Sequence, residues 1–392
     1  MRRRWRIVVL GARFAGLTVM HWVRRLARAQ EVSGVIVDSW PFMTYRPALV
    51  YAMTAPPTFV RHWRIDVPAA ARRAHFEFLE DRAVAVDPQR QVVHLARHRP
   101  IAYDVLFLAT GADPGWHAIE GLDVARGGLC EDYLARATAQ TLRGWTGGAI
   151  VFAVGPLYGR FQDGVPLATA DEFMLYEACL LFEGTLPPPV RQKTDIWLVT
   201  PAPVIGEALG PKGRQRLADI MRARRIRVVT HAVYRRVDPG GLQLSTGYLP
   251  AKAMVWVPPY LGSSLARASR LDDGAGWVPV NRYLQHPEWP RIYAVGDVTT
   301  HLPKLAHSAM VQARVAAHHW WAEATGRALP PPYHPEVLCL IDIGRGQGFF
   351  ALSSTLYGEG RDQVYVGPLA QWAKRCFNRA YVWGRGSLMV MP

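Results

Sequence analysis

The chain has 392 residues, half of them apolar, with 46 Lys and Arg against 31 Asp and Glu and a formal net charge of +15. That length exceeds one ordinary core and fits two domains sharing an interface, and no low-complexity tract points to disorder. The positive excess favours an anionic partner surface such as nucleic acid, phospholipid headgroups or an acidic protein, without choosing among them.

The chain opens with "MRRRWRIVVLGARFAG". Its apolar run ends at Arg13 after about six residues, short of the ~7–15 of a secretory signal, so it reads as a first strand. No stretch reaches the ~18 apolar residues of a spanning helix, and the expectation is a chain that is soluble or lies on a membrane without crossing it. "AGLTVMHWVRRLA" then has helical spacing of Leu17, Met20, Trp22, Val23 and Leu26. Strand, glycine turn and helix therefore follow in the order that presents a helix N-terminus to a pyrophosphate. The turn "GARFAG" keeps Gly11 and Gly16, with Ala12 between them and Arg13 in place of the usual middle glycine. Arg13 has two readings: it pairs with phosphate, or it is tolerated at the surface with dinucleotide binding retained. About 20 residues further on, the strand "GVIVD" ends in Asp38, the acidic residue expected at a ribose hydroxyl.

Two later strands end in small-residue turns: "YDVLFLATGADP" runs into Thr110-Gly111, and "HPEWPRIYAVGDVT" into Gly296-Asp297. Together with the first turn they resemble the FAD-binding core of the flavoproteins with two dinucleotide-binding domains, the glutathione-reductase-like fold. The resemblance implies an α/β chain with two Rossmann-like domains, the second degenerate, and a C-terminal amphipathic region. It implies FAD as cofactor, with the aspartate at Asp297 on the ribityl chain or phosphate. The expected division is 1–115 and 276–330 for the FAD-binding domain, 116–275 for the inserted domain and 331–392 for a quinone- or membrane-facing region.

In the inserted domain, "GAIVFAVGPLYGRFQDGVPLATADEF" has a strand over 149–154, but helical periodicity resumes only near Asp171. A nicotinamide dinucleotide needs a tight turn onto a helix N-terminus, so this long connection speaks against NADH. The layout is similar to the sulfide:quinone oxidoreductases and to the flavoprotein subunit of flavocytochrome c sulfide dehydrogenase. Further likenesses lie in "SWPFMTYRPAL", "GLCEDYLARA", "WLVTPAPVIGEALG", "HLPKLAHSAMVQARVAA" and "EVLCLIDIGRGQGFF". The resemblance implies that Cys339 is one of two flavin-flanking cysteines, that Cys130 matches a cysteine that carries the flavin in some members, and that Glu172 and Lys304 lie near flavin and quinone. The second flanking cysteine is replaced by Pro166. A lone thiolate can still attack flavin or a sulfur substrate when nearby cations lower its pKa; a small buried residue is the other reading of Cys339, and a solvated lysine the other reading of Lys304. Cys179 and Cys376 read as core packing. His318-His319 and Trp320-Trp321 are adjacent on a helix and face different directions, so neither pair makes a site.

On a helix from Leu369, the residues Leu369, Trp372, Ala373, Cys376, Phe377, Ala380 and Tyr381 form one stripe, with Lys374, Arg375, Asn378 and Arg379 opposite. Followed by "SLMVMP", this basic amphipathic helix fits either the headgroup layer of a bilayer or its own domain. The reading that gathers these features is an FAD-dependent oxidoreductase that oxidises sulfide or another reduced sulfur species and passes electrons to quinone, peripheral on the cytoplasmic side of a membrane. Its rivals are a type II NADH:quinone oxidoreductase and a flavoprotein subunit serving a protein partner, with homo-oligomers open. Nucleic acid is not an expected partner, because the chain has no basic tract, zinc signature or helix-turn-helix context.

Overall fold

The computed structural model describes residues 4–53, 61–123, 127–162, 164–170 and 172–387. The first three residues, Asp171 and 388–392, on which parts of the N-terminal, inserted-domain and tail readings fall, lie outside the described residues.

The run "RIVVL" is apolar without alternation, as a strand buried on both faces requires, and Ile7 to Leu10 are all buried. It sits centrally in a five-stranded parallel sheet, ordered Ile292–Ala294, Val105–Leu108, Trp5–Leu10, Val32–Asp38 and Phe76–Glu80. A second parallel sheet comes from the middle of the chain, ordered Arg227–Val229, Thr194–Val199, Gly148–Val154 and Ala253–Val257. A third sheet is antiparallel, with strands Val337–Gly344, Gln347–Ser353 and Asp362–Gly367. The fold is α/β, with two Rossmann-like sheets.

The helices that position the site are α1 (Phe14–Leu26), α2 (Asp132–Leu142), α3 (Phe173–Thr185), α4 (Ala306–Thr325) and α5 (Pro368–Trp383). Helix α1 packs on α4 over the first sheet, while α3 and α5 both pack on the strand Val337–Gly344. In α4 the adjacent histidines diverge as expected: His318 meets Trp22 and His319 stacks on Tyr283. No helix among the described residues is long and apolar enough to cross a membrane.

Helix α5 turns its predicted faces around. Ala370, Lys374, Asn378 and Tyr381 are buried, whereas Leu369 (67% exposed), Trp372 (66%) and Trp383 (88%) stand in solvent. Two of the expected polar-face residues point inward because each has a buried partner: Lys374 pairs with Glu177 at 3.1 Å, and Asn378 Oδ1 accepts from the Tyr45 hydroxyl at 2.9 Å. Cys376 is exposed, which corrects its reading as a core residue, while Cys179 is fully buried and burial pushes its thiol pKa up.

Candidate functional site

Gly11 adopts φ +96°, and a Cβ there would lie 2.3 Å from the Ala109 carbonyl oxygen; at Gly16 it would lie 1.8 Å from that of Gly11. Both glycines are thus fixed by backbone approach, and the turn they make carries the chain from the first strand into α1. Arg13, the N-cap residue of α1, is extended (φ −98°, ψ −154°). Its side chain leaves the turn, and Nη2 donates to Glu131 Oε1 at 2.9 Å. Arg46 Nη2 donates to the same oxygen at 2.7 Å. Burial pushes the Glu131 carboxyl up, but Arg46 and Arg13 outweigh it, and its pKa lies below the ordinary value. Arg13 is therefore neither loose at the surface nor free in solvent: it is held by Glu131 on the wall of a pocket.

That pocket has a volume of about 380 Å3 and is lined by Arg13, Ala15, Arg46, Thr110, Gly111, Glu131, Gly296, Asp297 and Lys304, among others. Gly11, Ala12, Gly16 and Asp38 lie outside its lining and build the turn beside it: Asp38 Oδ2 accepts the Ala12 amide at 2.7 Å, which ties the end of the strand Val32–Asp38 to the glycine turn. Gly296 sits between helices, with a notional Cβ at 3.1 Å from Ala15 and 3.3 Å from Ala309. Next to it, burial raises the Asp297 carboxyl above its usual value, opposed by Lys304, Arg46 and Arg13. Lys304 is buried, donates to the carbonyls of Thr299 and His301, and lies 4.5 Å from the centre of the Trp277 ring. This overturns its reading as a solvated lysine.

A second cavity of about 520 Å3 adjoins the first, sharing Phe14, Pro47, Met174 and Ala306 as walls. It is mostly apolar, with Phe173, Leu305, Met310, Leu338, Ile341, Phe350 and Phe377 around it. Its polar groups are Tyr45, Cys339, His307, Asn378 and the buried pair Glu177 and Lys374. Burial raises the Glu177 carboxyl to about 7 against the opposing pull of Lys374. Sequence reasoning missed Glu177, His307 and Tyr45, and assigned Lys374 to a solvent face; a charged residue within the apolar run "FMLYEACLLF" was the available signal for Glu177.

Three other expected residues lie outside both cavities. Cys130 is buried in the core with Leu49 and Val50, immediately before Glu131. Glu172 accepts from the Thr200 hydroxyl at 2.6 Å and lines a small hollow with Glu207, Phe173 and Leu305. Burial lifts its carboxyl to about 7. Pro166, where the resemblance would place a second cysteine, is exposed.

Residues 5–144 and 185–313 match the model of the pyridine nucleotide-disulphide oxidoreductases. The chain belongs to that family. The pyridine nucleotide-disulphide oxidoreductases carry FAD, and this member is an FAD-dependent oxidoreductase. It is 24% identical to the sulfide-quinone reductase of Aquifex aeolicus, over 96% of this chain and 90% of the relative. It is also 24% identical to mouse mitochondrial sulfide:quinone oxidoreductase (80% and 69%), and 27% identical to an NADH dehydrogenase-like protein of Mycobacterium tuberculosis (75% and 72%). Among solved structures, the sulfide:quinone oxidoreductase of Aquifex aeolicus superposes with a TM-score of 0.86 at 20% identity, covering 99% of this chain and 93% of that one.

The lining of this pocket suits the phosphates of an anionic dinucleotide. Arg13 Nη1 and Arg46 Nε are buried donors with no hydrogen-bond partner among the described residues. The first turn of α1 opens onto the same space, where the helix dipole favours negative charge. When bound, FAD supplies acceptance of an electron pair from one substrate and its release to another.

Proposed function

We propose that this oxidoreductase takes electrons from sulfide or another reduced sulfur species and delivers them to a quinone while lying on a membrane surface, on its cytoplasmic side. The observation that carries the reading is the apolar cavity beside the dinucleotide pocket: it is large enough for a quinone ring, it holds a thiol and a buried acid–base pair, and α5, which walls it with Lys374 and Phe377, exposes Leu369, Trp372 and Trp383 on its outer side. A lipid-soluble acceptor reaches such a cavity from the headgroup layer. The names of the Aquifex and mouse relatives point the same way.

In this reading, residues 1–115 and 276–330 bind FAD, 116–275 form the inserted domain and 331–392 face quinone and membrane. Gly11, Ala12 and Gly16 form the pyrophosphate turn, with Arg13 on phosphate, Asp38 on ribose, Thr110 and Gly111 beside the cofactor, and Gly296 and Asp297 at its ribityl end. Cys339 takes up sulfur as a single thiol, since Pro166 stands where its partner would, and the two electrons released as the S–S bond forms would pass to FAD and the protons to solvent; Cys130 is the site at which a covalent flavin link is sought. Lys304 stabilises charge developing on the acceptor, and Glu172 exchanges protons behind the cavity.

The rival NADH route is disfavoured at one place. The Tyr234 hydroxyl is shared by the carbonyls of Val154 (2.7 Å) and Val199 (3.0 Å), so it occupies the carboxyl ends of the two central strands of the second sheet. A dinucleotide would need that crevice.

The test is an anaerobic titration of the flavin spectrum. Sulfide bleaches the wild type and NADH does not; decylubiquinone restores the colour; Cys339→Ser is not bleached by sulfide. Bleaching by NADH alone overturns the reading. Flavin that stays with the polypeptide after acid precipitation, and leaves it in Cys130→Ser, identifies the covalent link.

A further inference from the structure

Reducing a quinone to a quinol consumes two electrons and two protons, and in a mostly apolar cavity the protons come through its few polar wall groups. Its polar wall groups differ in how they connect to solvent. Tyr45 donates to Asn378, a buried pair. Glu177 is bonded to Lys374 and to the backbone amide of Asp342, all buried, so this pair can hold a proton but has no exposed neighbour in its hydrogen bonds. His307, at the start of α4, is different. Its Nε2 lies 3.1 Å from Glu336 Oε1, and Glu336 Oε2 accepts from Arg361 at 3.0 Å. Side-chain exposure rises along the chain, from 10% at His307 to 29% at Glu336 and 53% at Arg361.

Resting on the quinone reading of the cavity, we propose that His307 and Glu336 are its proton inlet, His307 as the donor to the bound quinone and Glu336 as the relay from solvent. The electron pair comes from the FAD-dependent oxidation. A proton leaves the imidazolium from the ring nitrogen that is not bonded to Glu336, and an O–H bond forms on the reduced quinone. The neutral ring keeps its proton on Nε2; it turns over so that the emptied nitrogen meets Glu336 and takes a proton from the Glu336 carboxyl, which recovers its own from water. A second passage completes the quinol.

The charges facing His307 are Glu336 and Arg361 on one side, Arg314 on its own helix, and the Glu177–Lys374 pair across the cavity. Burial lowers the imidazole pKa, Glu336 raises it through its hydrogen bond and charge, and Arg314 lowers it. Removing the carboxylate therefore moves the loss of protonated His307 to lower pH.

The experiment uses full-length, FAD-loaded protein with decylubiquinone as acceptor, followed over a range of pH. His307→Ala is expected to lower kcat by about 100-fold with KM and quinone-analogue affinity, read by flavin fluorescence quenching, essentially unchanged. Added imidazole restores part of the rate. Glu336→Gln gives a smaller loss and shifts the alkaline fall of kcat to lower pH. Unchanged kcat in His307→Ala, or a loss that imidazole does not rescue and that accompanies weakened analogue binding, overturns the inlet while leaving quinone reduction standing. A wild type that reduces no quinone overturns the reading of the cavity and the inlet with it.

Discussion

Two glycines show how a single missing side chain determines local structure. At Gly16 a Cβ would overlap the Gly11 carbonyl, whereas at Gly111 (φ +74°) no atom lies within 4 Å of it. Gly16→Ala is therefore expected to cost about 3 kcal/mol, since the backbone itself must move. Gly111→Ala is expected to cost about 1 kcal/mol from its left-handed φ alone. Denaturant melts and the flavin content of purified protein distinguish the two. Buried carboxyls make a second contrast. Glu172 is lifted by burial from 4.5 to about 7 in the folded chain, so the unfolded chain releases this proton first. Folding stability falls as pH rises from about 4.5 to 7, by an amount on the order of 3 kcal/mol. Glu172→Gln should remove its share of that slope and leave the share of Glu177, which burial raises to about 7 as well; an unchanged slope would show that Glu172 carries none of it. Lys374 and Glu177, 7% and 2% exposed in their side chains, are a pair whose value lies in being complete. Lys374→Met leaves a buried carboxylate unpaired and should cost about 3 kcal/mol, most of it regained when Glu177→Gln is added.

Helix α5 shows what periodicity can and cannot decide. Its existence and its two-faced character were legible from spacing, and the strand–turn–helix at α1 likewise. Which face turns inward was not, because hydrophobicity ranks side chains by their cost in isolation, and a buried Lys374 or Asn378 meets its partner only from a distant segment, Glu177 or Tyr45. The outcome exposes Leu369, Trp372 and Trp383. Replacing all three with Ser should leave folding unchanged and reduce co-sedimentation with lipid vesicles by about 10-fold or more, since each aromatic or aliphatic side chain contributes buried apolar area in the interface.

At the scale of the whole molecule, the charge of +15 adds a long-range attraction for anionic vesicles that salt screens over about 10 Å at 0.1 M. Binding of the wild type should weaken as salt rises yet persist, because the apolar contribution of α5 is not screened, whereas the triple-Ser chain should be released altogether. The sequence by itself determined four strands of the first sheet, its glycine turns and the FAD-binding resemblance, since these rest on local signals at known spacing: an apolar run, a glycine turn, an acid at the strand end; the order of the strands and the fifth one, Phe76–Glu80, came from the tertiary structure. It also foretold the long connection between Val154 and Phe173. Only the tertiary structure decided that Arg13 is clamped by Glu131, that Lys304 is buried against Trp277, that Cys339 opens on an apolar cavity, and that Glu177, His307 and Lys374 share its wall. The cavity wall joins α3, α4, α5 and the third sheet, with Glu177 and Lys374 separated by 197 residues of chain, where no periodicity carries information and only packing brings the groups within hydrogen-bonding reach.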